Sequence, residues 1–354
     1  MRNMTIVYIA CFLSACALLL FAACKSKNEA SDQKSGKLPH GFSRELDTIR
    51  FGTQTLADVD AATFEVVDDC FCKDKNRVFY FNAYRESRDY FISKKYYIQP
   101  LERADPAAFV SLGDGYAKDA SHAWYTDQTF KVADLEGLTA LNRHFAKDKT
   151  QAYLDCKPIP GSEGATFQLI DDHYAKDARR WYYTFSRGDG GYEIKVIDCH
   201  YESFQTLDYP YAKDLQNVYY RGNKINGARP EGFELLGHRY AKDKNSVYFE
   251  DKKIAGADPQ TFALFPENEH SLGSVLYAKD KNGVYLNEKA FAAADAPTFR
   301  VLNEKYSLDK NGVYCNMKKV KNADPNTFKV YPHYMGDADA EDQYRKYGDG
   351  KAVD

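Results

Sequence analysis

The sequence has no strong excess of charge and no familiar catalytic motif. Its 48 Lys and Arg stand against 51 Asp and Glu, a net charge of −3, which argues against a nucleic-acid binder that works through bulk charge. It has no nucleophile elbow, no P-loop and no His-Glu-x-x-His motif. The 22 Gly and 12 Pro among 354 residues exclude collagen and proline-rich linkers, and a hydrophobic content of 44% excludes a disordered chain.

Aromatic residues are abundant and recur in register. The chain has 28 Tyr and 22 Phe, against only 2 Trp and 4 Met. The phrase Tyr-Ala-Lys-Asp or a close variant occurs eight times, and we call its last residue the marker Asp. Neighbouring markers are most often 29 residues apart, which indicates tandem repeats. The markers are Asp74, Asp119, Asp148, Asp177, Asp214, Asp243, Asp280 and Asp309.

Each repeat has the pattern of a β-hairpin. An aromatic residue stands three positions before each marker and another stands five after it, and the flanking Tyr, Phe and Val favour strands. Between them, a stretch such as Asp280-Lys281-Asn282-Gly283 predicts a turn that is capped by the Asp carboxylate and closed by a left-handed residue. A second phrase, Ala-Asp-Pro-x-Thr-Phe, predicts a short helical turn with Asp as N-cap and Pro as its first residue.

These signals predict a mainly β fold. We expect tandem β-hairpin repeats of about 29 residues, each with a short helical turn. One such repeat is too short to enclose a core, so neighbouring repeats must stack as a solenoid-like array.

Three of the spacings between neighbouring markers are longer than the basic period of 29 residues. Residues 181–197 and 78–98 predict hairpins with extended arms, and the stretch between Phe262 and Tyr277 predicts a plain loop. We expect the two long hairpins to contact partners, because they interrupt an otherwise regular surface.

The N-terminal segment has the pattern of a lipoprotein leader. Residues 4–23 carry no charge and end in two Ala before Cys24. The stretch Phe21-Ala22-Ala23-Cys24 resembles the lipobox of bacterial lipoproteins, with Phe where Leu is usual. The resemblance implies cleavage before Cys24, lipid on its thiol and, with Lys25 following, the outer membrane. An uncleaved anchor helix and processing at Cys16 stay open as alternatives.

These patterns divide the chain into four parts. We assign residues 1–23 to a signal peptide and 24–46 to a flexible polar tether. Residues 47–335 form the repeat array, which opens on a half repeat and continues with eight units. Residues 336–354 are predicted as a polar C-terminal tail.

The repeated phrases resemble the DKNYY family of bacterial proteins over about residues 60–335. Residues 243–249, 280–286 and 309–314 carry the resemblance best, together with the downstream Ala-Asp-Pro-x-Thr-Phe phrase. It implies a repeat protein of the bacterial envelope or a secreted one, and it implies no defined activity.

No cofactor or metal site is predicted. The marker Asp residues are interpreted as turn caps, because no further oxygen ligands recur as a calcium loop requires. His144, His173 and Cys70 share one repeat position, where a zinc site would need them stacked, but unrelated residues fill that position elsewhere. The sequence leaves open whether Cys70, Cys72, Cys156, Cys199 and Cys315 pair, with Cys156 and Cys199 as one candidate bridge.

The sequence therefore predicts an envelope-anchored lipoprotein whose membrane contact is the lipid on Cys24 and whose array is a scaffold or binds a macromolecule. We expect no catalysis and no nucleic-acid partner. A protein partner and a glycan such as peptidoglycan both stay open, and an enzyme would have its site in residues 75–140. A buried aromatic ladder would favour a protein partner, an exposed one a glycan, and two converging acids in residues 75–140 an enzyme.

Overall fold

The computed structural model describes residues 36–85, 92–188, 191–265, 277–335 and 337–353. This part of the chain is almost entirely β, with 3-10 turns at Pro39–Gly41 and Tyr201–Ser203. Within it, no helix has the length and apolar character needed to cross a membrane. The predicted leader and Cys24 lie outside the described residues. The chain divides into two compact units, residues 1–148 and 149–354.

The first unit contains antiparallel sheets of four strands, which we name by their marker Asp. The first of them has no marker and is called the opening sheet, with strands Gly36–Lys37, Phe42–Glu45, Thr48–Phe51 and Gln54–Leu56. The Asp74 sheet has strands Glu65–Val66, Phe71–Lys73, Val78–Arg85 and Lys94–Pro100. The Asp119 sheet has strands Val110–Gly113, Tyr116–Lys118, Ala123–Tyr125 and Gln128–Phe130. The paired strands Thr139–Ala140 and Phe145–Lys147 follow.

The second unit repeats this pattern. It begins with the paired strands Ala152–Leu154 and Lys157–Pro158. The Asp177 sheet has strands Gln168–Leu169, Tyr174–Lys176, Trp181–Ser186 and Tyr192–Ile197, and the Asp214 sheet has strands Gln205–Thr206, Tyr211–Lys213, Val218–Tyr220 and Asn223–Lys224. The Asp243 sheet has strands Glu234–Gly237, Tyr240–Lys242, Val247–Phe249 and Lys252–Lys253, and the Asp280 sheet has strands Ala263–Leu264, Tyr277–Lys279, Val284–Leu286 and Lys289–Ala290. The Asp309 sheet has strands Arg300–Val301, Tyr306–Asp309, Gly312–Cys315 and Lys318–Lys319, and the last sheet has strands Lys329–Met335, Ala338–Glu341, Lys346–Gly348 and Lys351–Val353.

Successive sheets pack face to face within each unit. Tyr211, Val218 and Tyr220 lie on one face of the Asp214 sheet and pack against Ala241 and Tyr248 of the next sheet. The same positions join neighbouring sheets elsewhere in the second unit and in the first. The arrangement follows from the alternation of side chains along a strand, which puts residues three before and four after a marker on one face. The predicted stacking of β-hairpin repeats is confirmed.

The repeated aromatic residues form the core. The largest fully buried side chains are Trp124, Tyr116, Tyr153, Tyr174, Tyr182, Tyr183, Tyr219, Tyr240, Tyr248, Tyr277, Tyr306 and Tyr314. Neighbouring rings meet at tilted or edge-to-face angles, for example Tyr211 on Tyr220 with their centroids 5.2 Å apart. The aromatic ladder is therefore buried.

The marker turn differs from its prediction in one respect. Its fourth residue was expected to be left-handed, but Asn217, Ser246 and Gly283 have no positive φ. The turn does not need one, because the Asp side chain itself binds the two N–H groups that close it. Left-handed residues stand instead in the turn between the third and fourth strands, as at Arg221 and Gly222, with φ of 49° and 68°.

The ends of the array lie further out than the sequence indicated. Residues 36–46, predicted as part of a flexible tether, belong to the opening sheet, where Phe42 pairs with Phe51 as Tyr211 pairs with Tyr220. Residues 338–353, predicted as a polar tail, form three strands of a complete sheet. The repeat pattern does not reveal either end. The opening sheet lacks a marker, and the last sheet lacks the aromatic residue three positions before its marker.

Both long hairpins are present as predicted. Trp181–Ser186 pairs with Tyr192–Ile197, and Val78–Arg85 pairs with Lys94–Pro100, each in unbroken antiparallel register. Most of the third insertion, predicted as a loop, lies outside the described residues.

Candidate functional site

The marker residues are the recurring polar groups of the fold, and Asp214 shows their geometry. Its Oδ1 accepts the backbone N–H of Gln216 at 2.7 Å and of Asn217 at 2.6 Å. Its Oδ2 accepts the N–H of His200 at 2.8 Å and the hydroxyl of Tyr219 at 2.6 Å. The side chain is buried, so one carboxylate closes its own turn, holds the preceding turn and satisfies a buried phenol.

The same contacts recur along the chain. In every described repeat that has a marker, with Asp342 of the last sheet counted as a ninth, Oδ2 of the marker accepts an N–H from the preceding turn; the donors are Asp60, Asp105, Asp134, Glu163, His200, Arg229, Asp258, Asp295 and Asp324. Where the aromatic five residues after the marker is Tyr, its hydroxyl donates to the carboxylate in the cases of Tyr182, Tyr219, Tyr248, Tyr285, Tyr314 and Tyr347. These acids serve as hydrogen-bond acceptors inside the fold.

The electrostatics agree with that use. Burial opposes ionisation of Asp214, but the hydrogen bonds from Tyr219 and from the three N–H groups outweigh it and lower the pKa to about 2. The same balance lowers the pKa of Asp119, Asp177 and Asp342. Burial, and then the hydrogen bond to Asp214, raises the pKa of Tyr219. At neutral pH the carboxylate is therefore ionised and the proton stays on the phenol, which donates the hydrogen bond.

A groove of a different character lies in the first unit, beside the long hairpin of the Asp74 sheet. It has a volume of about 720 Å³ and is lined by Tyr97, Gln99 and Pro100 of that hairpin, by Glu102 and Arg103 of the following turn, and by His122, Trp124, Asp127, Gln128 and Thr129 of the Asp119 sheet. Tyr97 stands on the part of the fourth strand, Lys94–Pro100, that extends beyond the length of the fourth strands of the regular repeats.

Part of this groove is held in place by hydrogen bonds. The Tyr97 hydroxyl donates to Asp127 Oδ2 at 2.6 Å, and the Thr126 hydroxyl lies 3.3 Å from Asp127 Oδ1. The hydrogen bond to Asp127 raises the pKa of Tyr97. His122 Nδ1 is buried and lies 3.5 Å from Asp119 Oδ1. The groove thus brings two acids, Glu102 and Asp127, to one recess within residues 75–140.

Two smaller recesses occupy equivalent positions in the second unit. One, of about 330 Å³, lies beside Asp214, and the other, of about 380 Å³, beside Asp243. Each is bordered by the Lys before the marker and by a Pro from the next repeat, Pro230 or Pro259. Their recurrence indicates that the repeat geometry produces them.

The two repeated phrases interlock. Lys281 stands one residue after its marker, and its side chain makes an ion pair of 2.5 Å with Asp258 of the Ala-Asp-Pro-x-Thr-Phe phrase. The backbone N–H of Lys281 donates to Thr261 Oγ1 at 3.1 Å. Lys75 and Lys310 repeat both contacts in their own repeats. The contacts explain why the two phrases occur in a fixed register.

The sequence model of the DKNYY family matches this pattern three times, over residues 42–208, 132–236 and 211–347. The chain belongs to the DKNYY family. Comparison with curated proteins and with solved structures gave no match.

The DKNYY match also covers a marker that the sequence reading missed. Asp342 accepts the N–H groups of Tyr344 and Arg345 with Oδ1 and the Tyr347 hydroxyl with Oδ2 at 2.7 Å. Three residues before it stands Asp339 in place of the usual aromatic, and Asp339 accepts the Tyr306 hydroxyl at 2.7 Å. The signal that could have found it is Asp342 with Tyr347 five residues on.

The remaining candidates are dispersed in this DKNYY chain. His173 stacks on Tyr209 with ring centroids 4.0 Å apart, and the His144 carbonyl accepts the Tyr116 hydroxyl. Within the described ranges, no three His, Cys, Asp or Glu side chains gather as a metal site requires.

The cysteines open to pairing, Cys70, Cys72, Cys156, Cys199 and Cys315, are all free. The bridge considered between Cys156 and Cys199 is therefore not formed. Burial, and then nearby acids, raises the pKa of the Cys70 thiol to about 12 and that of Cys199 to about 11. Such thiols are poor nucleophiles at neutral pH.

Proposed function

We propose that this DKNYY protein is an envelope lipoprotein, anchored through lipid on Cys24, whose repeat array binds another macromolecule. The anchor rests on the charge-free leader, the Ala pair before Cys24 and the polar stretch behind it. Lys25 after the lipidated residue supports the outer membrane as the location. The partner surface rests on the first long hairpin.

One observation carries the binding function. The hairpin of residues 78–100 exposes three large side chains, Tyr84 at 44%, Ile92 at 77% and Tyr97 at 40%. The ladder aromatics of the regular repeats are buried, whereas this one hairpin exposes three large side chains together. Exposed apolar side chains on one added segment are typical of a contact surface.

The recurring acids support a role without catalysis. Each marker carboxylate is buried, and its hydrogen bonds go to the turns and phenols that build the repeat. A catalytic function remains the second candidate, because the groove of the first unit brings Glu102 and Asp127 into one recess.

Site-specific photo-crosslinking in the native envelope tests the binding function. A photoreactive amino acid at Ile92 should give a discrete covalent adduct with a macromolecule. The matched control is Leu215, which is 69% exposed but lies in a regular marker turn of the second unit. Adducts at neither position, or the same adducts at both, would contradict a role for the hairpin.

A further inference from the structure

We propose that the groove of the first unit binds a neutral oligosaccharide. The inference deepens the proposed function and rests on it, since it names the chemistry of a ligand for the array. The groove has a volume of about 720 Å³, within the range of small-ligand sites in proteins. It lies between the hairpin arm and the next sheet, and Tyr97, on the added length of that arm, forms part of one wall.

The lining favours a ligand rich in hydroxyl groups. Gln99, Gln128 and Thr129 each offer both a donor and an acceptor. A sugar hydroxyl also donates and accepts, so it matches such a surface better than a purely apolar or purely accepting ligand does. The Tyr97 ring, 40% exposed, adds an aromatic surface to one wall.

The groove carries charges of both signs. Glu102 and Asp127 lie in it together with Arg103. An anionic ligand would meet the two carboxylates, and a cationic one the guanidinium. A neutral sugar can accept hydrogen bonds from Arg103 and donate hydrogen bonds to the carboxylates. It brings no like charge next to any of these groups.

Arg103 stands at a left-handed backbone position that three other repeats give to Gly and two others to Asp58 and Asn322. Its φ is 64°, and the equivalent residues Gly161, Gly227 and Gly256 have φ of 72°, 79° and 77°. Gly, Asn and Asp tolerate this left-handed conformation better than Arg does. Within the described part of the chain, no ion pair or hydrogen bond engages its guanidinium. Arg103 therefore lines the groove although its backbone position disfavours it, and its guanidinium is available to a ligand.

The test compares Arg103→Gly with Asn322→Gly in the full-length, detergent-solubilised protein. Asn322 has a φ of 61° at the equivalent position of the second unit, so both variants place Gly where the backbone favours it, and both should fold. The probes are chitotriose, maltotriose and cellotriose as neutral sugars, trigalacturonate as an anionic one and trialanine as a peptide. Binding is measured by titration calorimetry.

We expect at least one neutral trisaccharide to bind, Arg103→Gly to weaken it about tenfold or more through the loss of charged hydrogen bonds, and Asn322→Gly to leave it unchanged. Equal affinities in both variants would overturn the inference, as would preference for trigalacturonate or trialanine. So would the absence of neutral-sugar binding at about 1 mM.

The same samples separate this inference from the proposed function. Absent sugar binding with a persistent crosslink at Ile92 would overturn the sugar site alone. Release of reducing ends from a bound trisaccharide would support the groove as a sugar site and overturn the expectation that the protein has no catalytic activity.

Discussion

Replacing Tyr219 by Phe should destabilise the array, because it removes one hydroxyl from a buried, charged acceptor. The hydroxyl donates to Asp214 Oδ2 at 2.6 Å, and its oxygen is 3.1 Å from the Asp198 carbonyl. The ring stays, so packing is preserved and the change isolates the hydrogen bond. Bonds to charged groups contribute about 1.5–3 kcal/mol, and we expect a loss of that size in the free energy of unfolding of this repeat.

Tyr174→Phe is the matched control. Tyr174 is equally buried, but its hydroxyl has no hydrogen-bond partner among the described residues, so its removal should be neutral or slightly stabilising. Repeat arrays open locally, so the measurement is native-state hydrogen exchange at the N–H groups of His200, Gln216 and Asn217, which bind the same carboxylate. Equal effects of the two variants on this exchange would refute the hydrogen-bond argument.

Three further predictions concern acid pH, the leader and a turn glycine. Since the folded-state pKa of Asp214 is lowered from 3.8 to about 2, its stabilisation is present above pH 4 and is lost as the pH falls towards 2, which circular dichroism at decreasing pH should show as acid unfolding in that window. Cys24→Ser should abolish lipid labelling and leave the leader uncleaved, as read by metabolic labelling and gel mobility, and persistent labelling would show that Cys24 is not the attachment site. Gly222→Ala should destabilise more than Gly227→Ala in chemical unfolding, because both have positive φ but only the Cβ at 222 would meet Tyr183, 2.6 Å from its Cβ.

The repeat could be predicted from sequence because its signals are local. The marker and its following residues form one turn, and strands on both sides alternate with a period of two. Asp280 with Tyr285 is enough to place a turn and two strands, and the 29-residue spacing then requires stacking. The sequence does not predict the hydrogen bonds between successive turns, because the Asp258 N–H reaches Asp280 Oδ2 only after the intervening chain has folded.

The ends and the groove could not be predicted for a related reason. Asp339 takes the place of an aromatic residue and is stabilised by Tyr306 of the neighbouring repeat, a compensation that no local pattern contains. The groove requires two segments from different sheets, and Tyr97 reaches Asp127 across 30 residues of sequence. The departure from the repeat period singles out residues 75–140, but it does not indicate which residues line the groove.

The marker acids and Asp127 of the groove therefore differ in what their carboxylates bind. Asp214 is surrounded by four donors from its own fold, so substitution there should change stability first. Asp127 in the groove accepts the Tyr97 hydroxyl and lies at a partly exposed position. Asp127→Asn keeps the shape and an acceptor while it removes the charge, so it should leave thermal unfolding unchanged to within about 0.5 kcal/mol and weaken neutral trisaccharide binding in calorimetry. A variant that unfolded earlier but bound sugar normally would place Asp127 with the structural acids and remove it from the site.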